Sequence, residues 1–126
     1  MSMSPEQKEV NKIIKNTIKE MQEVNTYKPQ FDATVKIYAE TQQIYNRAYK
    51  DFIISGGKMM EEYTNNSGFT NIRKTATYLA IENLRSDLVN YRNILGLTPL
   101  GLKKINDEMK AKKKTSKLTQ VMSKNG

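Results

Sequence analysis

From Lys74 to Leu95 the positions Thr77, Ile81, Leu84, Leu88, Tyr91 and Leu95 recur alternately four and three residues apart. That spacing is the seam of a helix lying along another helix. A strand cannot present it, because its side chains change face at every residue. Leu79, Val89 and Ile94 fall beside the seam and give the helix a second apolar edge, so it has to be covered from two sides. A chain of 126 residues supplies one modest core. The pattern therefore predicts a helical fold that completes its covering by self-association, with Ile81, Leu84, Leu88, Tyr91 and Leu95 as the candidate oligomer interface.

Two further helices precede it. "SPEQ" combines a capping Ser4, a proline at the first helical position and Gln7 where a capping box places it, so a helix starts at Pro5. Val10, Ile13, Ile14, Ile18 and Met21 form its apolar side, and Lys8, Lys12, Lys15 and Lys19 fall on the opposite side as a solvated stripe. Pro29 breaks this pattern. A second, longer helix is expected from about Gln30 to Ser55, with Phe31, Val35, Tyr38, Tyr45, Ala48, Phe52 and Ile53 on one face and its tyrosines serving packing rather than base stacking. Gly56 and Gly57 end it. The polar turn "NNSG", set between short runs containing Tyr63, Phe69 and Ile72, then predicts a small β-hairpin or an ordered loop at about 58–73.

After the seam helix comes "NILGLTPLGLKKI", Asn93 to Ile105. Gly96 suits the left-handed residue just past a helix end, Leu97 can fold back on the last turn, and Thr98 with Pro99 offers a cap and a first helical residue. Gly96, Thr98 and Pro99 are thus read as a sharp helix corner. The same spacing serves a DNA-binding helix-turn-helix or a plain structural stop.

Beyond the corner the chain turns basic. Of a formal net charge of +8, the segment from Lys103 to Gly126 carries +6, with eight lysines against two acids. Residues 1–102 read as one helical assembly domain, and 103–126 as a basic, partly disordered segment suited to a polyanion. The candidate DNA-binding residues are Lys103, Lys104, Lys110, Lys112, Lys113, Lys114 and Lys117, whose ammonium groups release counterions on meeting phosphates. Arg73 and Lys74 form a second patch, continued by Arg85 and Arg92, for which intersubunit pairing with Glu61, Glu62, Glu82 or Asp87 is the alternative use. Leu102, Ile105, Met109, Leu118, Val121 and Met122 also offer a discontinuous amphipathic surface for a protein partner.

A helix of the form "YLAIENLRSDLVNYRNI" running into "LGLTP" near a basic C-terminus resembles the small subunits of phage terminases, in particular the family ending in L-G-L-T-P-x-x-R. The likeness covers roughly Phe31 to Ile105, and its specific part is Leu95-Gly96-Leu97-Thr98-Pro99. Gly101 and Leu102, followed by Lys103 and Lys104, stand where the family often has a small polar residue and an arginine. No proline precedes the long helix in "RKTATYLA". The resemblance implies a mainly α protein, a helical bundle with a long central helix assembling into a ring-like homo-oligomer. It would bind double-stranded viral DNA and regulate the large terminase subunit, whose ATPase and nuclease cut and package the genome in the host cytoplasm. The other readings are a small helix-turn-helix-type DNA-binding regulator, and a scaffold whose basic tail docks an acidic protein.

The sequence points away from catalysis. Without cysteine or histidine it lacks thiol and imidazole ligands and the usual nucleophile and base pairs, so no metal, cofactor or catalytic residue is expected. The pairs Glu61-Glu62 and Asp107-Glu108 have no third group around which to build an acid/base site. No apolar run approaches the length of a membrane span, and no small-molecule substrate is implied.

Overall fold

The computed structural model describes residues 3–124, excluding the side chains at positions 120, 121, 123 and 124. Val121 of the amphipathic surface therefore has no described side chain, and positions 125 and 126 of the basic segment lie outside the described residues. The chain forms α1 (Pro5–Glu23), a short 3-10 turn (Pro29–Phe31), α2 (Asp32–Ile54), β1 (Met60–Thr64), β2 (Thr70–Lys74), α3 (Ala76–Ile94) and α4 (Pro99–Lys124). It is mainly α with a small antiparallel hairpin, as the periodicities predict.

The local signals act where they stand. The Ser4 hydroxyl accepts the Gln7 amide at 3.1 Å, and Pro5 occupies the first turn of α1. Asn25 turns the chain out of α1 at φ +61°. Pro29 then starts a single 3-10 turn, so the second α-helix begins at Asp32 rather than Gln30. Gly56 and Gly57, both at positive φ, end α2, and the Thr75 hydroxyl caps α3 by accepting the Tyr78 amide.

α2 is the helix on which α1 and α3 rest, while α4 packs against α3. Met21 from α1, Val35 and Tyr38 from α2, Leu88 from α3 and Leu95 at its C-cap make one buried cluster, supported by half-buried Ile13, Ile18, Tyr45, Tyr91 and Leu97. Ile81 and Leu95 are fully buried and Leu88 nearly so, while Leu84 and Tyr91 are half-buried. The four-three seam thus closes largely inside the protomer. Its partner is α2 of the same chain, where the sequence reading placed another copy. The large apolar residues that α3 leaves in solvent are those of its second edge, Leu79, Val89 and Ile94.

The hairpin stands apart from this core. Glu61 pairs with Arg73 and Tyr63 with Asn71 in its register, and its two strands pair only with each other. Asn65 shapes the turn by accepting the Ser67 and Phe69 amides, each at 3.0 Å.

Candidate nucleic-acid interface

The corner between α3 and α4 decides where the lysines go. α3 ends in a Schellman motif: Gly96 at φ +72° donates its amide to Asn93, and Leu97 donates to the Arg92 carbonyl at 2.9 Å. Thr98 then opens α4, its hydroxyl accepting the Gly101 amide at 3.0 Å and donating to the Asn93 side chain. Pro99 takes the first helical position, where its missing N–H costs nothing. Two turn residues and a cap therefore replace a loop, and α4 leaves α3 at a fixed angle.

Two close approaches lock that angle. A β-carbon on Gly96 would lie 2.8 Å from the Ile105 side chain and 2.9 Å from Thr26. One on Gly101 would overlap the Asn93 carbonyl, so α4 crosses the end of α3 with backbone against backbone. Buried Thr26 completes the joint by donating to the Leu95 carbonyl at 3.1 Å, which ties the end of α1 to the end of α3. Gly101, which the sequence presented only as a departure from a familiar pattern, is what allows this crossing. Thr26 carried no signal beyond its place in a loop.

Beyond the joint α4 is a solvated arm. Leu102, Ile105 and Met109 are half-buried, whereas every residue from Lys110 to Thr119 is exposed. Lys103, Lys104, Lys110, Lys112, Lys113, Lys114 and Lys117 are all exposed along one continuous helix. Among the described residues none of them makes an ion pair. Leu118 and Met122 are exposed too, at 62% and 71%. The helix crosses the 102/103 boundary without a break.

The second patch is organised differently. Arg73 pairs with Glu61 across the hairpin at 3.0 Å and lies 4.2 Å from the centre of the Tyr63 ring. Lys74 pairs with Glu82 at 3.0 Å. Both cations thus have carboxylate partners within the chain. Arg85 donates to the Tyr45 hydroxyl at 3.0 Å and sits near the Tyr45 and Tyr49 rings; the Tyr45 contact holds its pKa above the ordinary value. Arg92 joins three helices, donating to Tyr38 of α2 and Glu20 of α1, both at 3.0 Å, and to the Leu97 carbonyl. Partial burial works against its charge, and the bonds to Tyr38 and Glu20 outweigh that, leaving its pKa raised.

The lysines of α4 are therefore an exposed cationic surface that makes no ion pair among the described residues, as are Lys8, Lys12, Lys15 and Lys19 on α1, and those of α4 are held by a joint rather than by a loop. Among the described residues, no cluster of three or more Asp, Glu, His or Cys could hold a metal ion, and no helix is long and apolar enough to cross a membrane. Comparison with curated proteins and with solved structures gives no match. The family model described as "Phage terminase, small subunit" matches residues 11–119. That span runs from the first helix through the corner and into the lysine arm, so the chain belongs to the phage terminase small subunits.

Proposed function

We propose that this protein is the DNA-recognising, non-catalytic subunit of a genome-packaging terminase. It acts in the cytoplasm of the bacterial host as a ring-like homo-oligomer that binds viral duplex DNA and regulates the large subunit. Residues 1–102 assemble, and 103–126 form the basic arm. The observation that carries the reading is α4, whose lysines lie in solvent beyond the body of the fold. In a closed ring each lysine is repeated about the axis, so a modest charge per chain becomes a strong field for phosphate. Avidity across subunits then supplies what one arm lacks.

Within the arm the DNA-contacting residues come from Lys103, Lys104, Lys110, Lys112, Lys113, Lys114 and Lys117. Arg73 and Lys74, already paired, are secondary. Assembly uses the apolar residues that a lone chain leaves in solvent. Leu79, Val89 and Ile94 on α3, with Ile37 and Ile44 on α2, are between 45% and 56% exposed. Half-buried Leu84 and Tyr91 border on solvent, while Ile81, Leu88 and Leu95 support the interface from within the protomer.

The composition of the first turn of α4 favours this reading over an operator-binding helix-turn-helix. A recognition helix reads base edges with side chains near its N-terminus. Here that turn is Pro99-Leu100-Gly101-Leu102, which offers no side-chain donor, and Gly101 is buried against α3.

Gel filtration with light scattering, followed by titration with duplex DNA at several salt concentrations, tests the proposal. The expected result is a discrete mass well above one chain and binding that weakens steeply with salt. A monomer at all micromolar concentrations, or tight binding to one short operator alone, contradicts it.

A further inference from the structure

Because α4 runs unbroken from Pro99 to Lys124, each lysine's direction is set by its number, at about 100° per residue. Lys110, Lys113, Lys114 and Lys117 stand at i, i+3, i+4 and i+7. They share one face about 100° wide over about 10 Å of helix. All four are exposed, and no carboxylate side chain occurs from Lys110 to the last residue.

Lys104 and Lys112 belong to a different row, four residues either side of Glu108. That row is turned toward the body of the protein. Lys104 and Glu108 border a cavity with Phe31, Asn93 and Ile105, and Glu108 and Lys112 border the next with Thr26, Phe31 and Met109. Lys103 lies near the first face, but Asp107 stands one turn from both it and Lys110.

We infer that the phosphate-binding face of the arm is Lys110, Lys113, Lys114 and Lys117, and that Lys104 and Lys112 stay on the body side and do not touch nucleic acid. This rests on the DNA-binding reading above and divides six of its seven lysines into two classes, with Lys103, one turn from Asp107, in neither. The ligand is the backbone of duplex DNA. Four ammonium groups in one helix face meet phosphates as point charges, with no geometry that reads bases.

The full-length protein is titrated with a labelled duplex of arbitrary sequence across a salt series, alongside two glutamine variants of equal charge and one arginine variant that keeps the wild-type charge. Lys110→Gln/Lys114→Gln should make the log–log salt dependence shallower by about 2 for each engaged subunit, since each phosphate contact contributes about 0.9. Lys104→Gln/Lys112→Gln should leave the slope unchanged, and Lys110→Arg/Lys114→Arg should retain it. Equal losses from the two glutamine pairs would overturn the inference while leaving DNA binding in place, because net charge alone would then govern. A wild-type protein without salt-dependent binding would remove the DNA reading itself, and this inference with it.

Discussion

The backbone of Gly101 in α4 lies against the backbone of Asn93 in α3. A β-carbon at position 101 would fall 2.8 Å from both the carbonyl carbon and the α-carbon of Asn93. This contact reverses an ordinary expectation. In an open helix interior Gly→Ala stabilises by about 1 kcal/mol. Gly101→Ala should instead destabilise by about 1–3 kcal/mol, because the rigid obstacle is main chain and the helices must part. Urea unfolding followed by circular dichroism measures it, and an unchanged or higher midpoint would show that the crossing has room for a methyl group.

Arg92 supplies the second prediction. Its guanidinium uses the planar fork to reach α1, α2 and the corner together, which an ammonium cannot do. The Glu20 pair is partly exposed, with the two side chains 33% and 47% accessible, so screening reduces its share. Arg92→Lys should cost about 1 kcal/mol and Arg92→Ala about 2 kcal/mol. High salt should recover only a small part of either loss, since hydrogen bonds and packing carry most of it. Denaturant midpoints at low and high ionic strength decide the matter.

The legible parts of this protein were those set by neighbours in sequence. Ser4-Pro5, Pro29, Gly56-Gly57 and Gly96-Leu97-Thr98-Pro99 announce helix ends because caps and positive-φ residues act within one turn. The polar turn "NNSG" between two short runs points to a hairpin or an ordered loop for the same reason. The direction of the α3 seam was not legible. A four-three pattern shows that a partner helix exists, and only the packing of α2 shows that the partner is in the same chain. Arg92 with Glu20, and Thr26 with Leu95, join residues about 70 positions apart, for which local sequence carries no signature. The lysines of α4 were countable from the start, but their division into faces needed an unbroken helix and a body for one row to face.

A pH dependence arises from Tyr27, whose hydroxyl donates to Asp32 at 2.9 Å. That hydrogen bond holds the phenol's pKa above its ordinary value near 10, with burial and the carboxylate's charge acting in the same direction. A group whose pKa is raised by folding contributes stability that is complete below its unfolded value and is lost as pH rises through the folded one. Tyr27→Phe should therefore be less stable than wild type at neutral pH, and the gap should narrow above about pH 10. Parallel unfolding curves at pH 7 and in the alkaline range check the sign. A gap that widens with alkalinity would show that the bond to Asp32 is not what holds the phenol protonated.

Val89 provides the test of assembly. It sits on the outer edge of α3, 56% exposed, between Leu79 at 45% and Ile94 at 52%, and away from the buried line of Ile81, Leu88 and Leu95. Replacing a solvated residue with a charged one should change the stability of the lone fold by less than about 0.5 kcal/mol. An unpaired charge placed inside a packed contact between copies costs several times that per interface. Val89→Glu should thus lower the oligomeric mass in light scattering while leaving the helical circular dichroism signal intact. Leu88→Glu, one residue away and buried in the protomer, should unfold the chain. If Val89→Glu retained the full oligomer, the second edge of α3 would be plain surface, and the assembly contact would move to the Ile37 and Ile44 face of α2.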